Sequence, residues 1–101
     1  MKLLEVIKSL SNETRLNILT WLKKPFDHFP KEELSNYSPE LGVCVSDIAQ
    51  KAGMSVPTVS DYLKIMSSAE VLIGTRKGQW TYYKRNEKTI QELARLIKED
   101  L

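Results

Sequence analysis

The stretch Cys44-Val-Ser-Asp-Ile-Ala-Gln-Lys-Ala-Gly-Met-Ser-Val-Pro-Thr-Val-Ser-Asp-Tyr-Leu-Lys-Ile-Met66 holds two short helical patterns separated by one glycine. Ser46 and Asp47 open the first pattern, and Ile48, Ala49 and Ala52 are its packing residues. Gly53 supplies the turn, and Ser55 is placed to cap a second helix with Pro57 in its first turn. Along that helix Val59, Leu63 and Met66 fall at i, i+4 and i+7 and should face a core. Pro57, Asp61, Lys64 and Ser68 then point nearly opposite, with Thr58 and Ser60 on the flanks. Helix, tight turn, helix presents the start of the second helix outward, where it can enter a DNA major groove.

The next segment supports that reading through its charge. Val71-Leu-Ile73 and Gln79 to Lys84 bracket a Gly-Thr-Arg-Lys-Gly turn region, which predicts a two-stranded hairpin. Residues 71–85 contain Arg76, Lys77, Lys84 and Arg85 and no acid, whereas residues 25–43 set four acids against Lys31, a net −3. The overall charge of +2 says little, but its segregation puts the basic part beside the candidate reading helix. Arg76 and Lys77 taken alone are an ordinary solvated hairpin tip. Next to a reading helix, phosphate or minor-groove contact is the better reading. Trp80, Tyr82 and Tyr83 read as core and sheet-face residues rather than base-stacking ones, with the outward member of the Tyr pair able to offer a hydroxyl to phosphate.

The flanks complete a small, mainly α protein. Leu3, Leu4, Ile7 and Leu10 mark one face of a first helix. Ser11 and Asn12 offer an N-cap before Glu13, and a second helix carries Leu16, Leu19 and Leu22, broadened by Ile18 and Trp21 and ended by Pro25. Residues 25–42 read as a long, acidic, mostly irregular connection with one helical turn around Lys31 to Ser35. A last helix starts near Glu87 and bears Ile90, Leu93, Ala94, Ile97 and Leu101.

At 101 residues, 42% hydrophobic and 28% charged, the chain is the size of one globular domain. It has no apolar run of about 18 residues and no signal-peptide core at its start, so no membrane span and a cytoplasmic location are expected. Two apolar stripes on terminal helices exceed what so small a core absorbs. A symmetric homodimer through Leu3, Leu4, Ile7, Ile90, Leu93, Ile97 and Leu101 is favoured over monomeric packing. A single cysteine, Cys44, excludes an internal disulfide and a paired-Cys zinc site, and His28, read as an exposed loop residue, adds little. No Ser-His-Asp or Cys-His pairing and no phosphate-cradling glycine loop points to an enzyme.

Four motifs in order, Asn12-Glu-Thr-Arg-Leu-Asn-Ile-Leu19, Val43-Cys-Val-Ser-Asp-Ile-Ala49, Ser55-Val-Pro-Thr-Val-Ser-Asp-Tyr-Leu-Lys-Ile-Met66 and Gly78-Gln-Trp-Thr-Tyr-Tyr83, resemble the ArsR family of dimeric winged helix-turn-helix repressors. The resemblance covers nearly the whole chain except residues 25–42. It implies the order α-α-α-α-β-β-α, a dimer built on the first and last helices, a fourth helix that reads the operator, and an effector that weakens the grip on DNA. Three departures stand out. The arsenic-sensing branch opens its third helix with Cys-Val-Cys-Asp, and here the run is Cys44-Val-Ser46-Asp47, so a hydroxyl replaces the second thiolate. Zinc-sensing members use His and acids on the last helix, where this chain has Glu87, Glu92, Glu99 and Asp100 but no His. Neither metal site is expected, nor any cofactor. The acidic insertion at 25–42 is the second departure. Asp61, where relatives often carry His, is the third, and an Asp there can accept from a cytosine amine.

The resulting expectation is one winged helix-turn-helix domain over residues 1–101 that binds double-stranded DNA as a homodimer on a palindromic operator. Val56, Thr58, Ser60 and Asp61 would meet base edges, while Ser55, Tyr62, Lys64, Arg76, Lys77 and Gln79 would hold phosphates. The alternative is a winged-helix module that binds protein rather than specific DNA. Cys44 is read either as a small buried residue or as a redox switch whose thiol pKa the helix start lowers. Oxidation at Cys44, a small molecule held near residues 25–42, or no ligand at all are the candidate modes of regulation.

Overall fold

The computed structural model describes residues 1–34 and 36–101. Its elements are α1 (Leu3–Ser9), α2 (Glu13–Lys23), α3 (Pro25–His28), a 3-10 turn (Lys31–Glu33), β1 (Val43–Cys44), α4 (Val45–Ala52), α5 (Val56–Ser68), β2 (Leu72–Lys77), β3 (Trp80–Arg85) and α6 (Glu87–Asp100). The expected helix and hairpin order is present, with α3 and β1 added. Pro25 both follows the end of α2 and opens α3, a position where its missing N–H costs nothing. The helical turn expected over Lys31 to Ser35 forms across Lys31–Glu33, while Ser35 lies outside the described residues.

Asn12 caps α2 by accepting the Arg15 backbone N–H at 3.0 Å. The buried line of α2 runs through Ile18 and Leu22, with Leu16 turned to solvent. In α1 the buried residues are Val6 and Ser9, not the expected stripe, because three apolar residues per turn leave the facing undecided in so short a helix. The Ser9 hydroxyl satisfies itself on the Val6 carbonyl at 2.6 Å, which makes its burial tolerable.

The sheet is antiparallel with order β1-β3-β2, so β3 is central. Val43 pairs with Tyr83 and Cys44 with Tyr82 on one side of it, and Leu72 with Arg85 through Lys77 with Trp80 on the other. Two sequence expectations are corrected here. Residues 74–77, read as turn, are strand, and the hairpin tip is Gly78-Gln79. Gly74 belongs in the strand because the Tyr83 ring lies across it, where an added Cβ would sit 2.7 Å from Tyr83 Cε1. Tyr82 and Tyr83 are both buried although neighbours on a strand point to opposite faces, so neither member of the pair stands in solvent.

Val59, Leu63 and Met66 of α5 are fully buried with Ile18, Ile48, Val43 and Val71. Burying three such side chains contributes roughly 6 kcal/mol, comparable to the entire net stability of a small domain. The orientation of α5 is therefore fixed by the core. The 25–42 segment is less irregular than its composition predicts. Phe29 is buried edge-on against Trp21 at 6.3 Å, Ser38 and Gly42 exchange backbone bonds, and Lys84 Nζ donates to the Glu40 carbonyl at 2.9 Å. His28 closes α3 half-buried rather than exposed. Among the described residues no helix is long and apolar enough to cross a membrane.

Candidate nucleic-acid interface

Gly53 ends α4 in the left-handed region at φ +67°, and Met54 N–H donates back to the Ala49 carbonyl at 3.2 Å. Two residues later Ser55 caps α5, its Oγ accepting the Thr58 N–H at 3.3 Å and donating to Thr58 Oγ1 at 2.9 Å. The two hydroxyls are thus paired with each other at the exposed start of α5. Val56, Thr58, Asp61 and Lys64 are exposed, and Ser60 and Tyr62 are half-buried. The buried Val59-Leu63-Met66 line turns this surface to solvent as the periodicity predicts.

Tyr62 has a neighbour that sequence reading missed. The Arg15 guanidinium lies 5.4 Å from its ring centroid. No local signal announces that contact, since 47 positions separate the two residues in the chain.

Arg76, Lys77 and Gln79 all project at the hairpin tip. Arg76 Nε donates to the Gly78 carbonyl at 3.3 Å, which curls the side chain over the turn. The other two cations of the segment are engaged within the molecule, Lys84 on the insertion and Arg85 with Glu87 at 3.0 Å. Among the described residues neither Arg76 nor Lys77 is ion-paired. Arg85 is thus the hairpin cation offset by an acid, Lys84 keeps its charge but is tied to the insertion, and Arg76 and Lys77 stand together at the tip.

The terminal helices divide the seven residues assigned to a dimer contact. Leu4 (62%), Ile7, Ile97 and Leu101 (76%) stand in solvent, Leu3 is half-buried, and Ile90 and Leu93 pack against the core.

Cys44 is fully buried at the β1–α4 junction, its Sγ 3.2 Å from Ser46 Oγ and donating to Asp47 Oδ2 at 3.2 Å. Burial pushes the thiol pKa above its ordinary value and outweighs the opposing Ser46 hydrogen bond. This is the reverse of the lowered pKa that a redox switch at the helix start called for. A thiol-reactive dye at pH 8 is expected to leave the native protein unlabelled for hours and to label it at once in denaturant. Labelling of the native protein within minutes would restore the switch. Burial raises the Tyr83 pKa as well. Both groups ionise more readily in the unfolded chain, so their contribution is present below the ordinary thiol value of 9.0 and is lost as pH rises through the folded values.

A solvent-facing helix set by a helix-turn-helix and followed by a hairpin with a basic tip defines a winged helix-turn-helix regulator. Residues 42–73 match the model of the bacterial regulatory protein family arsR. Over all 101 residues, and the full length of both chains, the sequence is 45% identical to an HTH-type transcriptional regulator of Bacillus subtilis, YbzH. The transcriptional repressor SdpR of the same organism is 32% identical over 87 residues, 86% of this chain and 79% of its own. A solution structure from Mycobacterium bovis, the homodimeric winged helix-turn-helix DNA-binding domain of a possible ArsR-family regulator, aligns with a TM-score of 0.63 at 25% identity, covering 94% of this chain and 73% of that one. The chain belongs to the ArsR family of winged helix-turn-helix transcriptional regulators.

Proposed function

We propose that this protein is a homodimeric, sequence-specific repressor that acts in the cytoplasm on a palindromic operator. The observation that carries the reading is the capped, outward surface of α5 from Ser55 to Lys64, held in place by a fully buried opposite face. Val56 and the Thr58 methyl suit a thymine methyl, Ser60 and Asp61 supply polar contacts to base edges, and Ser55, Tyr62, Lys64, Arg76, Lys77 and Gln79 hold phosphates. The whole chain acts as one domain, with 25–42 as an insertion and α1 and α6 as dimer arms through Leu3, Leu4, Ile7, Ile90, Leu93, Ile97 and Leu101. The name of SdpR as a repressor and the homodimeric state of the Mycobacterium bovis domain support the same assignment. Two-fold symmetry places the half-sites one or more helical turns apart, roughly 34 Å each.

Fluorescence anisotropy with DNA from upstream of the protein's own gene, against a scrambled duplex across a salt series, tests the proposal. Tight and preferential binding is expected. No binding at low salt would leave a protein-interaction module instead. Asp61→Ala is expected to relax preference at one base pair of each half-site by about tenfold, since a good base contact is worth about 1–3 kcal/mol of discrimination. Uniform tightening on every duplex would show that Asp61 only repels phosphate.

A further inference from the structure

Helix α1 lies along α5. At one end the Met1 ammonium is 3.8 Å from the Glu70 carboxylate just beyond α5. In the middle Glu5, Lys8 and Ser9 share an open cleft of about 400 Å³ with Ile65, Ser68 and Ala69. At the other end Arg15, in the first turn of α2, joins the two helices. Its Nε donates to the Ser9 carbonyl at 2.7 Å and its Nη2 to the Lys8 carbonyl at 3.3 Å, at the negative end of the α1 dipole. The same guanidinium sits over the Tyr62 ring of α5, 5.4 Å from its centroid. Asn12 fixes the Arg15 backbone from the other side. A guanidinium carries several donors around one delocalised charge, so it can serve two carbonyls and an aromatic ring at once, whereas a lysine brings a single ammonium point charge.

We infer that Arg15 is a positioning residue for DNA recognition, which sets the rotation of α5 relative to α1. The inference rests on the proposed function, in which α1 is a dimer arm and α5 reads the operator. In a symmetric dimer the angle between arm and reading helix determines how two reading helices meet successive grooves. Arg15 turns its donors on backbone carbonyls and acts through the Tyr62 ring. Its loss leaves the wing in place and loosens only the register of the helices.

The test is a double-mutant cycle read by anisotropy on operator and scrambled DNA, with the wild type, Arg15→Met, Tyr62→Leu and the double variant. Circular dichroism establishes that each is folded, and sedimentation that each is dimeric. Arg15→Met is expected to weaken operator binding about tenfold with scrambled binding and salt slope unchanged, and the double variant is expected to be no worse than the weaker single. Tyr62→Phe keeps the ring, so its combination with Arg15→Met shows the full Arg15 effect. If Arg15→Met does not fold, Arg15→Lys carries the same cycle with a smaller coupling. Losses that multiply in the double variant, an equal loss on scrambled DNA, or a salt slope lower by about one for each Arg15 would overturn the inference, the last by making Arg15 a phosphate ligand. A wild type that does not discriminate operator from scrambled DNA overturns the function and the inference together. A discriminating wild type with uncoupled Arg15 and Tyr62 overturns the inference alone.

Discussion

Gly42→Ala is expected to lower the unfolding midpoint by roughly 20 °C, the largest stability loss of any single methyl addition to a glycine of this chain. Gly42 has φ +105°, a conformation L side chains rarely adopt, and a Cβ there would run into the Tyr83 carbonyl and press on Lys84 Cβ. Strain in such a region costs about 1–3 kcal/mol, and overpacking against backbone that cannot yield costs a similar amount. Together they come to about 4 kcal/mol, in the range that marks a named structural lesion. The damage also spreads. Gly42 exchanges both backbone bonds with Ser38 and precedes Val43, the residue that pairs with Tyr83 in the central strand. Shifting it detaches the insertion from the sheet. Gly53→Ala is the control, since Gly53 is also left-handed at φ +67° but has open space where its Cβ would go. That variant is expected to lose only about 1 kcal/mol. Thermal unfolding by circular dichroism decides the matter, and a Gly42→Ala midpoint no lower than that of Gly53→Ala would show that the insertion does not need the β1–β3 contact.

The contrast between those two glycines reflects what the chain makes legible and what it does not. Gly53 was readable because its signal is local: a glycine after Ile48-Ala49-Ala52 and before Ser55-Val-Pro57 closes one helix and precedes the cap of another. The α5 surface was readable for the same reason, as Val59, Leu63 and Met66 point inward wherever a core is present. Gly42 sat inside a stretch with no period, and its role comes from β3, about 40 residues later in the chain. Strand β1 has two residues, too few for any alternation, and exists only because Tyr82 and Tyr83 are there to pair with it. Gly74 reads as turn until the Tyr83 ring is laid across it. The charge of the hairpin was legible as a sum but not in its distribution, because Lys84 and Arg85 find partners in the insertion and in α6. In each case the local pattern is real, and a non-local contact decides what it does.

That redistribution of charge makes the second large effect specific. Arg76→Ala with Lys77→Ala is expected to weaken operator binding about 100-fold near physiological salt and to flatten its salt dependence. Each phosphate neutralised contributes about 0.9 to the slope of log affinity against log salt. A dimer with two wings carries four of these tip cations, so the slope should fall by about 3 to 4 if every one holds a phosphate. Scrambled DNA should lose nearly as much as operator DNA, because phosphate contacts carry no sequence information of their own. Lys84→Ala separates this account from one based on total charge. Its ammonium is engaged on the Glu40 carbonyl, so removing it takes one formal charge from each hairpin, half of what the tip variant removes, while leaving the tip intact. A slope unchanged in Lys84→Ala and reduced in the tip variant places the phosphate grip at Arg76 and Lys77. A reduction in Lys84→Ala about half that of the tip variant would mean that the wing acts through its overall field, and an unchanged slope in the tip variant would remove the wing from the interface and leave α5 to hold DNA alone.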